Sequence, residues 1–111
     1  SHDNDAATMV VEFKGFDQTI AMAMDFVTSN KETLLLVTAD HETGGLQILS
    51  QKDDMVKVQW GTGSHTSIPV GVYAYGPGAH EFTGLMDNTD IHYMILDAIG
   101  TPNLEPLDCS N

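Results

Sequence analysis

Thr33-Leu34-Leu35-Leu36-Val37-Thr38-Ala39-Asp40-His41-Glu42-Thr43-Gly44-Gly45 is the stretch on which the reading of this chain turns. Its first half is a continuous apolar run. Such a run predicts a strand over 33–38 buried on both faces, the usual state of a strand in a parallel sheet. Its second half changes abruptly to Asp, His, Glu and paired Gly, the composition of a loop at the carboxyl end of that strand. In open α/β sheets this is where ligands bind. Asp and His supply oxygen and nitrogen donors that suit zinc. Neighbouring side chains of an ideal strand point to opposite faces. Asp40 and His41 can therefore share a metal only if the strand has already ended, which Gly44-Gly45 permits.

Outward from this stretch the pattern stays legible. Upstream, Phe13, Phe16, Ile20, Ala23 or Met24, and Val27 recur at helical spacing and predict a helix over 13–28, ended by Thr28-Ser29-Asn30. A helix followed by a buried strand is half of a βαβ unit. Downstream, Leu46–Ser50 and Met55–Trp60 read as a strand pair around the polar turn Gln51–Asp54. Gly61-Thr62-Gly63-Ser64 reads as a loop. Pro69–Tyr75 is a further strand, closed by Gly76-Pro77-Gly78. A last helix starts near Asp87 or Asn88 with Asp90 in its first turn, and its core face is Ile91, Met94 or Ile95, and Ala98. Gly100 and Pro102 stop it. The central strand needs a neighbour along each edge. Leu46–Ser50 is the nearest candidate for one and Val70–Tyr75 for the other, with some edge left bare.

The 111 residues allow one small domain. Four basic residues against 16 acidic ones give a net charge of −12. That balance argues against binding nucleic-acid backbones or anionic membranes. An acidic surface keeps a protein soluble; its functional reading is that some carboxylates face cations. An anionic substrate needs metals, or residues beyond this chain, to reverse the local field. The single cysteine, Cys109, has no internal disulfide partner. No apolar run of about 18 residues is present to span a membrane.

Besides Asp40 and His41, two histidines stand at polar loop ends. His65 follows the Gly-rich loop, and His2 lies among Asp3, Asn4 and Asp5. Each alone reads as an exposed loop histidine. Three histidines and an aspartate together read as a metal site, and ligands scattered this widely suit a catalytic site more than a zinc finger. His80, in a Gly-rich loop after a strand, reads as a loop residue, with an approach to the site as its alternative; His92, on the last helix, reads as a surface or packing residue. Glu42 reads as solvated, with a hydrogen bond to a metal-bound histidine as its alternative. Trp60 reads as packing.

Three motifs in order then carry a resemblance. Val37-Thr38-Ala39-Asp40-His41-Glu42-Thr43-Gly44-Gly45 is similar to a signature of alkaline phosphatases. So is Thr62-Gly63-Ser64-His65-Thr66 with Val70–Ala79 and His80, and so is Phe82–Ile91. Ser1-His2-Asp3-Asn4-Asp5 matches the segment that carries another zinc histidine in that family. The resemblance implies an α/β fold, the C-terminal part of a three-layer sandwich with a mostly parallel sheet and flanking helices. It implies phosphate-monoester hydrolysis at a two-zinc site, with magnesium held by residues outside this chain. His2 and His65 would bind the first zinc, and Asp40 and His41 the second. It also implies a homodimer in a periplasmic or extracellular setting.

The departures from the family are equally specific. The family's serine nucleophile sits in an Asp-Ser-Ala segment that this sequence lacks, and no Arg stands at a position matching its phosphate-gripping arginine. The aspartate completing the first zinc site would fall four residues before His2. Residues 1–111 are therefore expected to be the zinc-ligand-bearing end of a longer polypeptide, inactive alone. The rival expectations are a metal-binding fragment without turnover, or a phosphodiesterase, sulfatase or phosphomutase of the same superfamily.

Overall fold

The structure, a computed structural model, describes residues 2–100. Pro102 and Cys109 lie outside them. Helix α1 runs Ala6–Ser29, seven residues earlier than the apolar spacing predicts. The reason is its cap. Asp5 accepts from the Ala7 and Thr8 amides, at 2.9 and 3.4 Å, and from the Thr8 hydroxyl at 2.7 Å. These bonds satisfy donors that a helix start otherwise leaves bare, so the helix nucleates at the polar cluster before the first aromatic residue. At its other end the Asn30 side chain accompanies the last turn, donating to the Phe26 carbonyl at 2.9 Å.

Strand β1, Leu35–Thr38, follows α1 and packs beneath it. It pairs antiparallel with β6, Val72–Tyr75, in the register Leu35 to Tyr75 through Thr38 to Val72. Thr38 fastens the site end of this pair by donating its hydroxyl to the Gly71 carbonyl at 3.1 Å. At the other end Gly76 adopts φ +114°, and a Cβ there would fall 2.3 Å from the Thr33 carbonyl oxygen. Only glycine lets the chain leave β6 this close to the start of β1.

Between these strands in sequence lie two further pairs. β2, Glu42–Thr43, pairs with β5, His65–Thr66. β3, Gln47–Lys52, pairs with β4, Met55–Gln59, across a turn at Asp53-Asp54, with a register slip between Ile48 and Ser50. A 3₁₀ turn, Ala79–Glu81, leads from β6 towards α2, Asn88–Ala98. Asp87 caps α2 and Asp90 returns the bond to the Asp87 amide at 2.9 Å, a reciprocal capping box.

Three expectations are corrected. Leu46–Ser50 does not border the central strand, because its residues are taken up by the β3–β4 hairpin, where a short turn makes pairing local. Leu35, Leu36 and Val37 are half-buried rather than buried, since β1 has one neighbour among the described residues and its second edge is open. On α2 the buried side chain is Leu96, while Ile95 and Ala98 are exposed. Every strand pair among the described residues is antiparallel.

The buried apolar side chains among the described residues are Val27, Phe82 and Leu96, against 18 large hydrophobics that stay exposed. The radius of gyration, 17.8 Å, exceeds the about 13 Å expected of a compact chain of this length. Short-range devices such as caps, turns and two-strand ladders therefore carry much of the local order.

Two outcomes follow for stability. Gly76→Ala should lower it by about 1–3 kcal/mol, whereas Gly15→Ala, in the α1 interior with open space around it, should raise it by about 0.5–1 kcal/mol; denaturant unfolding of the two variants checks the opposite signs. The second concerns acid. The Thr8 hydroxyl, then the Thr8 and Ala7 amides, hold the Asp5 carboxyl below the usual carboxylate range. A carboxylate so depressed stabilises the fold above its unfolded pKa and ceases to do so as pH falls through its lower folded value. Helical circular dichroism should decline on acidification below about pH 4, and more shallowly in Asp5→Ala.

Candidate metal centre

Three imidazoles meet where the end of β1, the start of β5 and the segment before α1 converge. The nitrogens of His2, His41 and His65 that can serve as ligands all lie within 4.8 Å of one another. The His41 and His65 rings stack with centroids 3.5 Å apart and planes 20° from parallel. The His2 ring stands edge-on to both, at 5.5 and 5.1 Å.

Each ring is placed by backbone geometry. Beyond Thr38 the strand ends, and the chain turns through Ala39 and Asp40. Asp40 Oδ1 accepts the His41 amide at 3.1 Å, and its Oδ2 lies 3.5 Å from His41 Nε2. His41 Nδ1 lies 3.0 Å from the Glu42 carbonyl oxygen. A carbonyl only accepts, so in the neutral ring Nδ1 carries the proton and the Nε2 lone pair is free. His41 is thus pre-set in the tautomer a cation needs. His65 is brought opposite by the β2–β5 pair, in which Thr43 faces His65 and Glu42 faces Thr66.

The turn behind these residues admits no side chain. Gly44 is buried with φ +79°, and a Cβ there would lie 2.6 Å from the Trp60 ring and 2.8 Å from Asn4 Oδ1. Its amide donates to the Ser64 carbonyl at 2.9 Å, and its carbonyl accepts from the Gly61 and Thr62 amides at 2.8 and 3.1 Å. Trp60 is therefore packing, as expected from the sequence. Asn4, with φ +52°, donates to the Thr62 carbonyl at 2.8 Å and so ties the His2 segment to the loop that carries His65.

The donor spacing fits cations. Two ligands of one tetrahedral zinc, each about 2.0–2.1 Å from it, stand about 3.3 Å apart. His2 Nε2 and His65 Nε2 are 3.0 Å apart, and Asp40 Oδ2 and His41 Nε2 are 3.5 Å apart. Beside these residues an open cleft of about 710 Å³ runs between Asp40, His41 and Thr66 on one side and Phe82, Asn88 and Ile91 on the other.

Of the four sequence-predicted residues, His2, His41 and His65 come together, and Asp40 lies beside His41 alone, its Oδ2 3.5 Å from His41 Nε2. His80 does not join them; it is exposed and paired with Glu81 at 3.0 Å. His92 is exposed on α2, edge-on to Tyr93. Glu42 departs from its solvated reading: its carboxylate accepts from the Gly45 amide at 2.8 Å and from the Thr66 hydroxyl. Asn4 and Thr66 escaped the sequence reading altogether, because their partners lie 58 and 24 residues away.

Against this geometry the comparisons with known proteins agree. The sequence model of the alkaline phosphatase family matches residues 1–56 and 49–101, and the chain belongs to that family. Alkaline phosphatase H of Pseudomonas aeruginosa is 31% identical over 116 residues, covering 88% of this chain and 24% of the relative. Streptomycin-6-phosphate phosphatase of Streptomyces griseus is 30% identical over 119 residues, covering 90% of this chain and 26% of the relative. Among solved structures, alkaline phosphatase from the Antarctic bacterium TAB5 superposes with a TM-score of 0.81 at 35% identity, over 87% of this chain and 30% of that one. A TAB5 variant with magnesium bound superposes equally well. The fold is that of alkaline phosphatases. The chain spans 37% or less of the length of the curated relatives it matches.

The neutral His41 ring should appear in long-range ¹H–¹⁵N spectra of the metal-free protein as the Nδ1–H tautomer. An Nε2–H pattern would contradict the bond to the Glu42 carbonyl.

Proposed function

We propose that this chain is the zinc-ligand-bearing C-terminal portion of an alkaline phosphatase, and that with the rest of its polypeptide it hydrolyses phosphate monoesters at a two-zinc site. The observation that carries this reading is the pairing of donors: His2 with His65 at 3.0 Å, and Asp40 with His41 at 3.5 Å, each close to the separation of two ligands on one zinc. His2 and His65 would hold the first ion, and Asp40 and His41 the second. Paired metals stabilise the entering and leaving oxygens of an in-line phosphoryl transfer.

This chain's own residues bind and orient. The four lysines sit on α1, in the turn after it and on the β3–β4 hairpin. No fixed cation therefore stands on the three histidine-bearing segments, and the charge that attracts a phosphate must come from the ions or the rest of the polypeptide. The sequence has no Asp-Ser-Ala segment for a serine nucleophile. Nucleophile, phosphate-binding arginine, magnesium ligands and the completing aspartate are assigned to the remainder of the polypeptide. The open edge of β1 suits a parallel strand from that remainder, which would extend the pair into a mostly parallel sheet between helical layers. The exposed apolar side chains of α1 and α2 suit burial by the same remainder and by a second subunit of a homodimer. A periplasmic or extracellular location accords with the family, and among the described residues no helix is long and apolar enough to cross a membrane.

A second reading, metal binding without turnover, is favoured for residues 1–111 taken alone, because two protein ligands per zinc and no nucleophile do not make a turnover site. The two readings part in one experiment. The full polypeptide should hydrolyse an aryl phosphate in a chelator-sensitive, zinc-restored manner, and residues 1–111 with zinc and magnesium should not exceed free metal. His2→Ala or His65→Ala should empty one zinc, and Asp40→Ala or His41→Ala the other. Wild-type zinc stoichiometry in all four variants would refute the assignment.

A further inference from the structure

Glu42 touches both the His41 turn and the strand that carries His65, without being one of the centre's donors. Its main chain lies in β2, opposite Thr66 of β5, and its carbonyl oxygen fixes the His41 tautomer at 3.0 Å. Its carboxylate has separate partners. One oxygen takes the Gly45 amide at 2.8 Å and the other takes the Thr66 hydroxyl. Each carboxylate oxygen thus has a hydrogen-bond donor of its own.

The ladder this carboxylate braces is two residues long on each side. Isolated two-stranded pairs are marginal in water even when longer. Yet it sets the distance between His41, next to Glu42, and His65, next to Thr66. We infer that Glu42 is a positioning residue: through Thr66 it holds the His65 strand against the His41 turn, and so fixes the spacing at which the centre accepts its cations. The inference rests on the metal reading of the site.

The geometry ranks the substitutions. Glu42→Ala removes every carboxylate bond. Thr66→Val keeps the shape of Thr66 and removes the hydroxyl that reaches Glu42. Thr66→Ser restores it. Glu42→Gln retains one accepting oxygen for the Gly45 amide and offers an amide hydrogen to the Thr66 oxygen, since a hydroxyl accepts as well as donates.

The test titrates cobalt(II), a spectroscopic substitute for zinc, into the metal-free full polypeptide and follows visible absorbance. Glu42→Ala and Thr66→Val should each weaken cobalt binding about 10- to 100-fold, the range for partners that orient a ligand. They should also alter the band shape. The double variant should be no worse than Glu42→Ala, because both act through one bond. Thr66→Ser and Glu42→Gln should recover most of the affinity. Gly76→Ala, which strains the fold away from the centre, should leave cobalt affinity intact and so separates positioning from stability. Wild-type affinity and spectrum in Glu42→Ala and Thr66→Val, with binding lost in His65→Ala, would overturn the inference alone. Additive losses in the double variant would overturn the route through Thr66. Undiminished binding in His41→Ala and His65→Ala would overturn the metal reading and this inference with it.

Discussion

Everything in the centre depends on one steric constraint: the chain must reverse within six residues of leaving β1, and the inside of that reversal has no room for a side chain. Gly44, at φ +79°, fills the position, with the Trp60 ring and the Asn4 amide against the place where a Cβ would stand. Because Gly44 is bare, its amide and carbonyl reach Ser64, Gly61 and Thr62 directly. The loop that carries His65 is thereby sewn to the turn that carries His41. The His2 segment joins through Asn4 and Thr62. Three stretches far apart in sequence meet because one residue offers backbone and nothing else.

What the sequence made legible follows from range. The end of α1, the cap of α2, the β3–β4 turn and the loop positions of His2, His41 and His65 are set within a few residues, where spacing and turn chemistry speak directly. The apolar pattern placed α1 too late only because the Asp5–Thr8 bonds, rather than the first aromatic residue, start the helix. The run Leu34–Val37 was read for two-sided burial, yet burial depends on neighbours that a strand's own residues do not name. The same run fits one antiparallel partner and one open edge.

The centre shows the same division. His2, Asp40, His41 and His65 were singled out by residue type, loop position and resemblance; the structure gathers the three histidines, with Asp40 beside His41. Glu42 was misjudged as solvated because its partner Thr66 is an ordinary β-branched residue 24 positions on, with nothing in its surroundings to mark it. Asn4 was hidden similarly: a polar residue beside a histidine looks like loop filler until its carbonyl partner is known. Residues that donate to a cation have distinctive chemistry. Residues that aim them are recognised only by where they sit.

The hairpin of β3 and β4 carries a consequence of a different kind. Its strands are exposed on nearly every residue, and its base is closed by the Gly61 amide on the Gly44 and Gly45 carbonyls at 2.8 and 3.3 Å. The hairpin beyond that closure contributes no residue to the imidazole cluster. The two matches to the family model overlap at residues 49–56, within this hairpin. An alignment to a Bacillus subtilis relative runs over 170 residues although it draws on 88% of this chain. A change of length within this hairpin would leave the segments that carry His2, His41 and His65 as they are.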